Sequence, residues 1–328
     1  MLLIDGHLDL AWNALQWNRN LLYSVYTIRT QEARFPGKGR AQGTVALPEL
    51  RQGRVAMVIA SSTCRSTGQP TPPGQPLVDF ETPCQAYAVA VGQVTFLHAL
   101  DRTGHVRVIT NLEQLNRHMA EWEVWDAQPD PDPNATPPVG CVLSMEGADP
   151  ILEPSQTEEW WQRGVRVIGP THYGTGRYAG GTGTELGLTE LGAPLLREMQ
   201  RLGIILDTTH LSDQAFWQAL EIYEGPVIAS HNNCRALVPH QRQFSDEQLR
   251  AIFAREGVIG SAFDLFMLVP GWTAGQSNQG VTIENVVDHM DYICQLAGNS
   301  RHAAIGTDLD GGYGREQSPS DLDTIMDL

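Results

Sequence analysis

GIILDTTHLSDQAFWQALEIYEGPVIASH (203–231) contains a complete strand–helix–strand unit. GIILD and PVIAS are continuous apolar runs rather than alternating ones, as in strands buried on both faces. Between them Ser212 can cap DQAFWQALEIYE, and Gly225-Pro226 stops it. Two strands joined by a helix of that length are expected to run parallel. Each strand also ends on a histidine, His210 and His231.

The same arrangement recurs outward in both directions. Apolar runs fall at LLID (2–5), RVAMVIAS (54–61), GCVLSME (140–146) and GVRVIGPTH (164–172), then GVIGSAF (257–263) and HAAIGTD (302–308). VRVI (106–109) is an additional short strand candidate. Helices lie between most of them. Asn111 can cap LEQLNRHMAEW, Thr189 can cap ELGAPLLREMQRL, Ser245 with Gln248 forms a capping box, and Thr282 starts IENVVDHMDYICQLA, which ends at Gly298. Leu191, Leu195, Leu196, Met199 and Leu202 form one apolar stripe that faces a sheet. Eight strands alternating with helices predict a (β/α)8 TIM barrel. No internal repeat or linker divides the chain, so the expectation is a single domain over 1–328. Its last residues, DLDTIMDL, read as the helix after strand eight, which places the chain end in or before the final helices. QPDPDPNATPP (128–138) reads as a surface excursion.

Bulk properties exclude several classes. The formal net charge of −16 argues against nucleic acid or anionic lipid as partner, since both need a basic face. No basic leader precedes the first strand, and no apolar run approaches the ~20 residues that span a bilayer. The five cysteines are scattered with no C-x-x-C, which predicts reduced thiols in a cytoplasmic protein. Asn134-Ala135-Thr136 fits a glycosylation sequon by chance in that setting. Lys38 is the only lysine and sits in PGKGR, so Schiff-base, carboxylated-lysine and P-loop chemistry are all disfavoured. The Gly-rich GTGRYAGGTG (174–183) then reads as a mobile loop near a site.

Barrel enzymes carry their chemistry at the C-terminal ends of the strands. Those ends supply, in order, His7 and Asp9, Glu146 in SMEGAD, His172, His210, His231, and Asp308 in GTDLDG. Singly, each has a bland reading as a turn, cap or packed residue. Jointly they predict a metal-dependent hydrolase. Imidazole and carboxylate without thiolate suit Zn²⁺ in a catalytic site. With no lysine to bridge two ions, Glu146 can do so through its two oxygens, leaving His7 and Asp9 on one ion and His210 and His231 on the other. A water between two such ions becomes a hydroxide near neutral pH. Asp308, on the last strand beside the first, is the candidate acid/base. His172 is expected to steady the oxyanion, with third ligand or loop histidine as its alternatives.

Taken together, GHLDLAW, SMEGAD, THY, LDTTHLS, VIASHNN and GTDLDG resemble the membrane (renal-type) dipeptidases of the amidohydrolase superfamily, over essentially the whole chain. The resemblance implies a binuclear zinc barrel that hydrolyses dipeptides and often tolerates a D-residue at the C-terminal position. It implies the ligand set named above, with Asp308 as acid/base and His172 on the intermediate. In PHQRQFSDEQL it implies an arginine for the substrate's carboxylate, which falls on Arg242, with Arg235 as a nearby rival; Trp12 matches a tryptophan lining the pocket. Homodimers are common in that family. Leu8, Ala11 and the Gly-rich loop depart from its pattern, which leaves side-chain preference open. Two alternatives stand beside this reading. One is another amide hydrolase on the same barrel, acting on N-acyl amino acids, lactams or lactones; the other is a barrel retained for binding alone.

Overall fold

The eight apolar runs become eight parallel strands: β1 (Leu3–Leu8), β2 (Val55–Thr63), β3 (Val139–Glu146), β4 (Val165–Gly169), β5 (Ile205–Asp207), β6 (Val227–Ile228), β7 (Ile259–Ser261) and β8 (Ala303–Ile305). The structure is a computed structural model that describes residues 1–70, 78–129, 131–132 and 135–328. The expected sequon at Asn134 lies outside the described residues, as do parts of the 128–138 excursion. Strand order is β7-β8-β1-β2-β3-β4-β5-β6. The two ends of that path meet through a bridge between Ala229 and Ile259, with Ala229 N donating to Val258 O (2.9 Å) and Gly260 N to Ala229 O (2.8 Å). The sheet is thus a nearly closed barrel. Val106–Val108 adds a short strand beside β3, outside the ring.

Close approach inside the barrel explains two glycines. A Cβ on Gly306 would sit 1.8 Å from the Ser230 carbonyl oxygen, and one on Gly260 2.1 Å from it. No side chain fits there, so β6, β7 and β8 converge directly beneath the rim. The strands are buried as their continuous apolar runs require: Val58, Leu143, Val165, Ile168, Leu206 and Ile259 are all fully enclosed.

Helix starts follow the capping residues with one exception. Asn111 accepts from Gln114 N (2.9 Å), Ser212 from Ala215 N (3.1 Å), and Ser245 with Gln248 forms its capping box. The helix expected from Thr189 begins instead at Gly192. Thr189 Oγ1 donates to the Arg177 carbonyl (2.7 Å) and accepts from Leu191 N (3.3 Å), so it closes a turn just ahead of the helix and ties the preceding loop to it. Leu195, Leu196 and Met199 of the predicted stripe are buried.

Two other expectations are corrected. GTGRYAGGTG is a folded tongue, with bridges Thr175–Gly180, Ala179–Leu188 and Gly181–Leu211. Tyr178 is fully buried and donates to Ile151 O (2.6 Å). Backbone pairing plus a buried aromatic anchor holds a segment whose composition alone suggests mobility. After β8 the chain forms 3-10 turns at Arg315–Gln317 and Ile325–Asp327 instead of the expected helix. Ile325 N there bonds Thr44 O (3.1 Å), folding the segment back on the loop after β1. Among the described residues no helix is long and apolar enough to cross a membrane.

Candidate metal centre

His7 lies within β1 and Glu146 ends β3. His172, His210, His231 and Asp308 each stand three residues beyond the end of β4, β5, β6 and β8. Two of these turns are strained, with φ +68° at His210 and +56° at Asp308. Non-glycine residues take that left-handed conformation rarely, and surrounding bonds must hold it. Asp207 braces the His210 turn by accepting from Thr209 N (3.1 Å) and Ser230 N (3.0 Å). Asp5 braces the other side, accepting from His7 N (3.1 Å), Thr307 N (2.9 Å) and Thr307 Oγ1 (2.6 Å). That ties β1 to β8 just below His7 and Asp308.

Asp9 precedes the helix Leu10–Gln16, yet its carboxylate makes no cap bond to it. Instead Oδ1 takes a hydrogen bond from Thr63 Oγ1 (2.5 Å), the same hydroxyl that lies 3.3 Å from Glu146 Oε2. Thr63 therefore links two carboxylates that would otherwise only repel.

Everything converges on Glu146. Its Oε1 is 3.1 Å from His210 Nε2, 3.2 Å from His231 Nε2 and 3.6 Å from His172 Nε2. Its Oε2 faces His7 Nε2 at 3.7 Å. His7 Nε2 also lies 3.8 Å from Asp9 Oδ1 and 3.9 Å from Asp308 Oδ1. So the two glutamate oxygens look at different sets of imidazoles. On the far side of each ring, Thr182 Oγ1 sits 3.0 Å from His210 Nδ1 and Ser230 Oγ 2.9 Å from His231 Nδ1. A hydroxyl accepting from Nδ1–H leaves the Nε2 lone pair directed into the site.

The electrostatics of this cluster follow from its depth. Burial, then His231, pushes His7 down to about 3. Burial takes His172 and His231 to about 4 and holds His210 well below the usual imidazole value. Burial, then Glu146, raises Asp9 to about 8 and Asp308 well above the carboxylate range. Burial works to raise Glu146 too, but the surrounding imidazoles outweigh it and hold its pKa well below the usual value. The rings are thus neutral, the protonation state that metal binding requires, while three acidic groups crowd together with no arginine or lysine in ion-pair contact among the described residues, Arg242 acting on Asp308 only from farther off. His7 Nε2 is buried with no hydrogen-bond partner. Donor atoms of three groups lie mutually within 4.8 Å: His7, Glu146 and His231; Glu146, His172 and His210; His7, Asp9 and Asp308. Orphaned ring nitrogens beside crowded carboxylates fit divalent cations well.

A cavity of ≈ 130 Å³ opens over the cluster, lined among others by Trp12, Tyr173, Arg242, Asp264 and Met267. Arg242 is 3% exposed. It donates from Nη1 to Asn232 Oδ1 (2.8 Å) and from Nη2 to His231 O (2.9 Å), leaving Nε buried without a partner. A guanidinium has five N–H donors, so donors remain for a ligand. Arg235, the rival in the same loop, is spent on both oxygens of Asp213 (2.7 and 2.6 Å). Thr63, Thr182, Ser230, Asn232 and Asp264 are among the site residues that sequence reading passes over. Of these, Ser230 and Asn232 flank His231 directly, and that adjacency is the one signal the sequence carries for them.

The family model of the membrane dipeptidases, peptidase family M19, matches residues 1–328. The chain belongs to that family. Dipeptidase aclJ of Aspergillus oryzae is 25% identical over 331 residues, covering 99% of this chain and 71% of that protein. Dipeptidase tcpJ of Claviceps purpurea is 33% identical over 186 residues, 55% of this chain and 42% of its own. The matches span 53% and 66% of the length of two uncharacterised curated relatives, from Acinetobacter calcoaceticus and Klebsiella pneumoniae. Among solved structures, a metallopeptidase described as dipeptidase AC superimposes with a TM-score of 0.75 at 24% identity, covering 100% of this chain and 89% of that one. A metallopeptidase from Rhodobacter sphaeroides, liganded with a phosphinate mimic of the dipeptide L-Ala-D-Ala, gives 0.74 at 23% identity, with 100% and 90% coverage. At these identities the structural likeness establishes the (β/α)8 barrel.

Proposed function

We propose that this M19 chain is a zinc-dependent dipeptidase that uses two ions. His7 and Asp9 would hold one ion, His210 and His231 the other, and Glu146 would join them through its two oxygens. The observation that carries the reading is the division of imidazoles between Oε1 and Oε2 of Glu146, beneath a cavity that also presents Arg242. When bound, the ions lower the pKa of a water and polarise the scissile carbonyl. The remaining work belongs to side chains. Arg242 grips the substrate's terminal carboxylate with its spare donors. Trp12 walls the pocket and excludes water. Asp308 accepts the proton of the attacking water and returns it to the leaving amine. His172 donates a hydrogen bond to the oxygen of the tetrahedral intermediate. The dipeptide mimic bound to the Rhodobacter neighbour supports a dipeptide, including one with a C-terminal D-residue, as the substrate.

The test is kcat/KM for L,L- and L,D-dipeptides against their C-terminal amides, with metal content measured on the same protein. Two zinc ions per chain and a loss of about 30-fold or more on amidation are expected, the size of a buried charge-assisted pair. Equal rates on acid and amide remove the role of Arg242. Turnover of N-acyl amino acids but not dipeptides replaces the reading with a deacylase.

A further inference from the structure

Asp264 stands just past β7, and its carboxylate lines the cavity. It is 5% exposed. Gln317 Nε2 lies 2.7 Å from both of its oxygens, and Phe266 N donates weakly to Oδ1 at 3.4 Å. Those are neutral donors. Among the described residues no arginine, lysine or histidine forms an ion pair with it, whereas the other carboxylates of the cavity all face imidazoles. Lys38 and Arg242 act on it only from beyond ion-pair distance. A buried carboxylate with no cation in contact is costly, and the local bonds of a helix cap do not explain its place on the cavity wall.

Its position around the rim indicates what would complete it. Arg242 follows β6, Asp264 follows β7 and Asp308 follows β8, so Asp264 sits between the other two. In the dipeptidase reading, on which this inference rests, Arg242 holds the α-carboxylate of the C-terminal residue and Asp308 meets that residue's nitrogen. Between those two groups the cavity wall is the end of β7, which is therefore the wall open to that residue's side chain in the configuration at Cα that turns it that way. There it meets Phe266 and Met267 as well as Asp264, all on the cavity wall. An apolar strip that ends in an anion matches a long aliphatic stem with a cationic head. We propose that Asp264 is a specificity-determining residue that selects dipeptides whose C-terminal residue carries a basic side chain. The net charge of −16, with Lys38 the sole lysine, would draw such substrates to the protein.

The experiment compares Ala-Lys with Ala-(Nε-acetyl)Lys, which keeps the stem and removes the charge, in the zinc-loaded enzyme and in Asp264→Asn. The wild type is expected to favour Ala-Lys in kcat/KM by about tenfold or more, the scale of one charge-assisted hydrogen bond. Asp264→Asn is expected to bring that ratio to within about twofold of one, the charge contact being gone. Free lysine should inhibit the wild type more strongly than free norleucine, and equally in the variant. A wild-type ratio near one overturns the inference whether or not the variant folds, and so does a ratio that survives in Asp264→Asn. Hydrolysis of both dipeptides without preference overturns Asp264 alone. Hydrolysis of neither takes the dipeptidase reading down with it.

Discussion

Thr182→Val removes one oxygen and keeps the shape of the side chain, so its effect isolates a single hydrogen bond. Thr182 Oγ1 lies 3.0 Å from His210 Nδ1, and both residues are more than nine-tenths buried. The tongue that carries Thr182 is anchored by backbone bonds that valine retains, Thr182 N to His172 O (3.0 Å) and Gly174 N to Thr182 O (2.9 Å). Without metal, His210 escapes the loss by changing tautomer, because Nε2–H can donate to Glu146 Oε1 at 3.1 Å. With metal on Nε2, the proton must sit on Nδ1, where valine offers no acceptor. The penalty therefore falls on the loaded state alone. A buried donor left unpaired costs about 1–3 kcal/mol, which corresponds to a dissociation constant weaker by about 5- to 150-fold. Competition against a zinc-binding chromophore in metal buffer reads this directly, without recourse to activity. Thr182→Ser restores the hydroxyl and is expected within about threefold of wild type, the residual reflecting one lost methyl. A valine variant that binds zinc within about twofold of wild type would refute the argument, as would a serine variant as weak as the valine one.

Two further outcomes follow from the same structure. Asp5→Ala strands the donors of His7 N, Thr307 N and Thr307 Oγ1 in a buried seam; a loss of about 3 kcal/mol in urea unfolding is expected, with Asp5→Asn losing about half of that because one acceptor oxygen remains. A loss under about 1 kcal/mol for the alanine variant would show that β1 and β8 are not held there. Chelation is expected to lower Tm by about 4 °C relative to protein with zinc at about 100 times its dissociation constant, since binding contributes about 2.7 kcal/mol and a chain of this length unfolds with an entropy of about 0.7 kcal/mol/K. An unchanged midpoint on adding zinc to stripped protein would mean that the Glu146 cluster takes up no ion.

The eight strands and most helix starts are legible because they are local. A buried parallel strand needs only a continuous apolar run, and Asn111, Ser212 and Ser245 each declare a helix within four residues. Where a capping residue closes a separate turn ahead of the helix the local rule misses the start by a few residues, as at Thr189, whose hydroxyl accepts from Leu191 N while donating to the Arg177 carbonyl. Composition misleads for the glycine-rich tongue for a related reason. Glycine lowers local order, but Tyr178 finds a burial site and a carbonyl acceptor that no window of sequence reveals.

For the site, the chain order alone puts His7, Asp9, Glu146, His172, His210, His231 and Asp308 at strand ends, because the barrel rule converts position along a strand into position on a rim. Three things were decided only in three dimensions. The neighbours Arg235 and Arg242 carry the same chemistry, and only the placement of Asp213 beside one of them leaves the other facing the cavity. Thr63, Thr182 and Ser230 are hydroxyls like many others until folding sets them against a carboxylate or a ring nitrogen. Asp264 looks like an ordinary helix cap until the closure of β6, β7 and β8 leaves its charge on the cavity wall. Strand ends and apolar runs are properties of a short stretch of chain; hydrogen-bond partners and buried charges depend on residues tens to hundreds of positions away, and those contacts exist only once the barrel has closed.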